Sequence, residues 1–174
     1  TGMNWIMPIR DNDGAITQLR AMQDEWRGAG RDTADLYATA HAGGCILGEG
    51  EPADSARAKA QAGPAAAMIL HDMVEAEFFG TLGFRIPNAL RPLLDEYKTI
   101  YEAYEPEDAR YLSVHRGHLM ILRPEEEHLI GGEMIKALSF TATVPELRDR
   151  IYELDDSGYS QISFHIRYGQ DNTV

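Results

Sequence analysis

The strongest constraint on this chain lies near its start, where an apolar strand-length run, an amphipathic helix and a second strand-length run follow one another. Met3–Ile9 (MNWIMPI) is too short for a helix and is bounded by the turn-rich Asp11-Asn12-Asp13-Gly14, which predicts a buried strand. Ile16, Leu19, Met22 and Trp26 then recur at helical spacing ahead of Gly30, predicting an amphipathic helix over residues 15–29. Asp35–His41 (DLYATAH) reads as a second strand running into Ala42-Gly43-Gly44. Such a unit closes with parallel strands and a right-handed crossover, so the fold class is α/β.

The middle third changes character. Asp54 and Ser55 can cap an alanine-rich helix, and Gly63-Pro64 predicts an interruption, because proline fits only a fresh first turn. Leu70, Val74 and Phe78 carry an apolar stripe onward, and Pro87 is expected to open a further helix with Leu90, Leu93 or Leu94, Tyr97, Ile100 or Tyr101 and Tyr104 inward. Residues 105–136 read as short helices and turns around Pro106 and Pro124. Order returns with Thr143 and Glu146 at capping-box spacing, then Leu147, Ile151 and Leu154 at i, i+4, i+7, with Gly158 as the stop. Gln161–Arg167 (QISFHIR) alternates as a last strand, Ile162, Phe164 and Ile166 on one face and Ser163, His165 and Arg167 on the other. A helix to cover that strand is expected beyond Val174, and the abrupt Thr-Gly-Met start also reads as a cut end.

Composition excludes some classes. With 28 acidic against 16 basic side chains, a net charge of -12 repels nucleic acid and anionic lipid. No apolar run approaches the roughly 20 residues of a membrane span, and no secretory leader is expected. Cys45 is the single cysteine, so a reducing, cytoplasmic setting is the simple expectation.

The ordered series Trp5–Pro8, helix, Gly30-Arg31-Asp32 and strand resembles the later barrel strands of luciferase-like oxidoreductases. The closing stretch from Thr141 through Pro145-Glu146-Leu147, then Asp156-Ser157-Gly158-Tyr159 and a strand, is similar to that family's last helix and strand, with Ala142 where glycine is usual and Val144 inserted. Ala62-Gly63-Pro64 and Gly117-His118-Leu119 resemble the subgroup similar to methylenetetrahydromethanopterin reductases. The resemblance implies the last strands of a partial (β/α)8 TIM barrel, because a closed barrel needs eight βα units. Residues 1–174 are then a single domain with a helical insertion over about 54–136 before the final βα unit. It implies FMN or an 8-hydroxy-5-deazaflavin coenzyme, and hydride transfer or oxygen activation on a small organic substrate. The partner it implies is the missing N-terminal half of the barrel or a second copy of the chain, without which the active site is incomplete.

Barrel sites gather at the C-terminal ends of strands. His41 and His165 sit near such ends, where an imidazole can donate to a flavin-type carbonyl or move a proton at neutral pH; His165 is the catalytic candidate. Arg167 offers a rigid fork for an anionic group, Gly43-Gly44 can bring backbone amides to a phosphate, and Trp5 can wall the pocket. His115 and His118 form an HxxH pair near Glu125–Glu127, but Arg116 opposes a cation and no second cluster is visible, so no metal site is expected. Cys45 is expected to be an inert small residue, and Glu49, Glu51 and Asp54 a solvated loop. Two other functions compete with the oxidoreductase: a non-catalytic flavin-binding or assembly protein from the same barrel, and a hydrolase or metal protein built on His115, His118 and the glutamates.

Overall fold

A computed structural model describes residues 4–80 and 91–165. The chain opens with β1 (Asn4–Pro8), α1 (Asn12–Gly28) and β2 (Tyr37–Ala42). Asp11 caps α1 by accepting from the Gly14 amide at 2.7 Å, and Gly30 takes a left-handed φ of 73° just past its end. After a short strand β3 (Ile46–Leu47) come α2 (Ala56–Phe79), α3 (Arg91–Glu102), α4 (Tyr111–Val114) and α5 (Gly132–Leu138). The chain returns through β4 (Ala142–Thr143), α6 (Val144–Ser157) and β5 (Gln161–Phe164). The Thr143 amide and hydroxyl both donate to Glu146 Oε2, at 2.8 and 2.7 Å, at the foot of α6. Gly158 ends that helix at φ 107°.

The strands are parallel and ordered β1-β2-β5, with Trp5 opposite Ala38 and His41 opposite Ser163. β3 and β4 form a second parallel pair, so the chain leaves at Leu47 and comes back beside it at Thr143. Ala38, Ala40 and Ala42 put almost no bulk on one face of β2, which lets α1 and α6 press Ala15, Leu19, Trp26, Leu147 and Leu154 against it. A second core lies among the helices, where Ala62, Ala66, Leu70 and Met73 of α2 meet Leu94, Tyr97 and Tyr101 of α3 and Ile135 of α5. Among the described residues no helix is long and apolar enough to cross a membrane.

The expected break at Gly63-Pro64 does not occur. The α2 helix runs through Pro64 for 24 residues, because both neighbouring turns are buried in the helical core and their packing outweighs the roughly 3 kcal/mol cost of an internal proline. At Gly63 the backbone passes close to Leu122, whose Cδ2 would lie 2.9 Å from an added Cβ and would have to shift to admit it. Ser55 caps α2, its hydroxyl accepting from the Ala58 amide at 3.1 Å. Leu90 and the helix opening expected at Pro87 fall outside the described residues; Leu94, Tyr97 and Tyr101 are buried on α3.

Candidate functional site

The parallel strands end together. Past their last residues the ladder continues, Ile9 N donating to His41 O and His165 N to Ala42 O, both at 2.9 Å. Alternation sends Thr39 and His41 to the face of β2 opposite its alanines, where they meet β5: Thr39 Oγ1 donates to Gln161 Oε1 at 3.2 Å, and His41 Nδ1 lies 3.3 Å from Ser163 Oγ. The Ser163 hydroxyl thus orients the His41 ring. His41 and His165 both line a cavity of about 460 Å³ with Arg10, Asp11 and Gly43, closed from the helical side by Met68 and Leu138. His165 also borders a second, mainly apolar cavity of about 440 Å³ between Gly44, Phe140, Ile151 and Phe164.

The two glycines differ in what they do. A Cβ on Gly44 would stand 2.2 Å from Phe140 O, so this glycine exists for the close passage of its own chain. A Cβ on Gly43 meets nothing within 4 Å, so its backbone is open toward the first cavity. Trp5 is not brought to either cavity. In register with Ala38 it lies on the helix-packed face and stacks on Tyr159 with ring centroids 6.3 Å apart, away from the strand ends. Arg167 lies outside the described residues. Cys45 is buried at the edge of the second cavity. Glu51, expected in a solvated loop, instead accepts from the Gly48 amide, the Ser55 hydroxyl and Arg57 Nε at 2.8, 2.7 and 3.1 Å. Those bonds, the one from Arg57 first, hold its carboxyl down at about 2.

A second constellation lies in the helical core. Glu126, only 1% exposed, accepts at one oxygen from His71 Nε2 at 2.7 Å, Tyr97 Oη at 2.9 Å and the Arg123 guanidinium. Burial alone would raise this carboxyl, but the bonds from His71 and Arg123 outweigh it and hold it at about 2. The opposite nitrogen of His71, Nδ1, is buried with no hydrogen-bond partner. Around that ring stand His115 and His118, at 6.1 and 6.3 Å between centroids. His115 Nδ1 faces His118 Nδ1 at 3.3 Å, and His115 Nε2 meets Glu75 Oε1 at 2.9 Å. Desolvation, then the two neighbouring imidazoles, lower the pKa of His118. One ring nitrogen from each of the three histidines lies within 4.8 Å of the other two. Sequence reasoning found the HxxH pair and missed His71, whose only signal is an imidazole on the buried α2 stripe Ala67, His71, Val74. The second cluster that seemed absent comes from that helix.

No family model matches this chain, and no curated protein matches it. Among solved structures, it is similar in fold to the coenzyme F420 dependent tetrahydromethanopterin reductase from Methanopyrus kandleri, with a TM-score of 0.52 and 16% identity. That match covers 96% of this chain and 40% of the reductase chain, so this chain spans well under half the length of the protein it resembles. The likeness is one of fold alone, an α/β arrangement of parallel strands with helices.

Proposed function

We propose that the chain is the closing part of a luciferase-like (β/α)8 oxidoreductase, which takes a deazaflavin coenzyme, or else FMN, at the C-terminal ends of its strands. The observation that carries this reading is the meeting of His165 with His41, itself held by Ser163, over one cavity at the shared end of three parallel strands. That is where barrel enzymes hold their ligands. The fold match to a reductase that depends on coenzyme F420 favours the deazaflavin over FMN.

The residues present suit such a group. Two adjoining cavities of about 460 and 440 Å³ fall in the range of small-molecule sites. Gly43 leaves room for a ligand to approach the backbone, while Ile9, Met68 and Leu138 offer an apolar wall. The coenzyme, when bound, supplies the hydride chemistry. His41, steadied by Ser163, donates a hydrogen bond to a polar ring atom, and His165 between the two cavities holds or moves a proton at its imidazole. The apolar wall excludes water from both.

The partial-barrel reading draws support from the surface. Ile6 on β1 is 62% exposed, and at the other side of the sheet Phe164 with Val144 and Tyr152 of α6 are 46%, 51% and 60% exposed. In a complete barrel the neighbouring βα units would cover such positions, and the helical stretch of about 54–136 would be an insertion before the last unit. Titration of the chain with the deazaflavin coenzyme and with FMN, followed by cofactor fluorescence, tests the reading. Saturable binding weakened about ten-fold by His41→Ala or His165→Ala is expected. Binding of neither cofactor, alone or after association of chains, would overturn it.

A further inference from the structure

We propose that His71, His115 and His118 form a binding site for a first-row divalent transition metal, zinc foremost, with three imidazole ligands and one coordination position open to solvent. The donor set is the first argument. Imidazole nitrogen is a preferred ligand of zinc, and three protein ligands with a fourth position open is an established form of zinc site. Two nitrogens each bound at 2.0–2.1 Å to a tetrahedral metal stand about 3.3 Å apart. His115 Nδ1 and His118 Nδ1 are already 3.3 Å apart. One ring nitrogen from each of the three histidines lies within 4.8 Å of the other two, a span that modest inward movement of the rings closes to ligand distances.

The second argument is the orphaned nitrogen. The His71 side chain is 6% exposed and its Nε2 is committed to Glu126, which leaves Nδ1 buried and unpartnered. Neither protonation state that keeps the bond to Glu126 satisfies it from the protein: with the proton on Nε2 alone it is a lone pair without a donor, and with both nitrogens protonated it is a donor without an acceptor. A metal held by the two facing imidazoles would satisfy the lone pair. A hydrogen-bonded histidine pair accounts for His115 and His118 but not for this atom.

The third argument is what stands behind the rings. Glu126 holds His71 at its far nitrogen, and Glu75 holds His115 at its far nitrogen at 2.9 Å. Carboxylates in that position fix the tautomer and orientation of metal-ligating histidines and raise their basicity. The two carboxylates outweigh the single Arg123 guanidinium paired with Glu126, so the surroundings favour a dication. Arg116, which argued against a cation from the sequence, is exposed. Tyr97 and Arg123 complete the support by donating to Glu126 from α3 and from the turn before it.

The site lies in the helical core, apart from the strand-end cavities, and stands whether or not those cavities bind a flavin-type coenzyme. Titration of the chelator-treated full chain with Co²⁺, followed by the visible absorption of tetrahedral cobalt and by displacement with Zn²⁺, tests it. One equivalent is expected to bind. His115→Ala and His118→Ala, both on a partly exposed turn, should each weaken binding by about 100-fold or more, and Glu75→Gln by about 10- to 100-fold through the orientation of His115. His128→Ala, whose ring pairs with Glu96 on the surface, should leave the affinity unchanged. The proposal fails if the wild-type chain binds no equivalent, or if the His115→Ala/His118→Ala double variant binds as tightly as wild type, which would mark an adventitious surface ion.

Discussion

The helical core and the sheet core handle polar groups in opposite ways. Among the helices, one buried carboxylate gathers His71, Tyr97 and Arg123, and the apolar residues around them close over the network. On the sheet, the buried side is alanine, leucine and aromatic rings, while the polar side chains line an open face that ends in two cavities. Burying a charged group is costly unless every partner is in place. The helical half has therefore committed to one internal arrangement, and the sheet half keeps surfaces that other chain segments or ligands can use.

The contrast is broken most severely at Glu126. Replacing it with alanine leaves Arg123 as an unpaired buried charge and removes the acceptor of both Tyr97 and His71, which should cost about 3–5 kcal/mol in urea unfolding. Glu126→Gln should cost less, since one donor–acceptor contact survives. The same carboxyl sets an acid limit. Its folded pKa, about 2, lies below its ordinary value of 4.5, so its contribution is complete above about pH 5 and is lost as pH falls toward 2. A Glu126→Gln variant whose stability falls as steeply as wild type over that interval would contradict this assignment.

In the sheet half the largest effect comes from an apolar deletion. Leu19 is fully buried between α1 and the alanine face of β2, and Leu19→Ala should lower stability by about 2–5 kcal/mol through lost burial and a cavity. Hydrogen exchange on both variants sharpens the comparison. Glu126→Ala should loosen amides of α2 and α3 first, and Leu19→Ala those of α1 and β2. Equal loosening everywhere would mean the two cores act as one.

What the sequence made legible follows the same division. β1, α1, β2, α6 and β5 each carry their own period and stop signal, from the alternation of QISF to the capping pair Thr143 and Glu146, so local pattern sufficed. From those strand ends His41 and His165 could be placed together, and both line one cavity. Trp5, expected as a wall of the pocket, lies on the helix-packed face instead, because which way it points depends on its register with Ala38. α2 was misread at Pro64 because tertiary burial, not propensity, carries the helix through. β3 and β4 have two residues each and no period to read. His71 escaped because its partner Glu126 is 55 residues away in sequence, and only the packing of α2 against the 115–126 turns brings the histidines together.

Gly43 and Gly44 give a finer test of how the sheet half ends. Gly44→Ala forces a Cβ to within 2.2 Å of the Phe140 carbonyl and should cost about 1–3 kcal/mol as the chain shifts. Gly43→Ala meets open space and should change stability by no more than about 0.5 kcal/mol, while narrowing the cavity beside His41. Reversed costs in thermal unfolding would show that the close passage at Phe140 is misassigned.

The smallest effect on folding should come from the exposed apolar strip, and there the readout is association. Phe164 and Tyr152 are 46% and 60% exposed, so Phe164→Ser with Tyr152→Ser should change the unfolding free energy by about 0.5 kcal/mol each or less. If this strip is where a neighbouring barrel segment or a second copy docks, the same substitutions should abolish concentration-dependent association in sedimentation velocity, because apolar burial at such a patch is what a partner would gain. Gly43→Ala, also at the strand ends but off the strip, should leave association intact. A wild-type chain that sediments as a monomer at every accessible concentration removes the second copy as a partner for this strip. Association unchanged in the double variant would move the docking surface to the other edge of the sheet, where Ile6 stands exposed on β1.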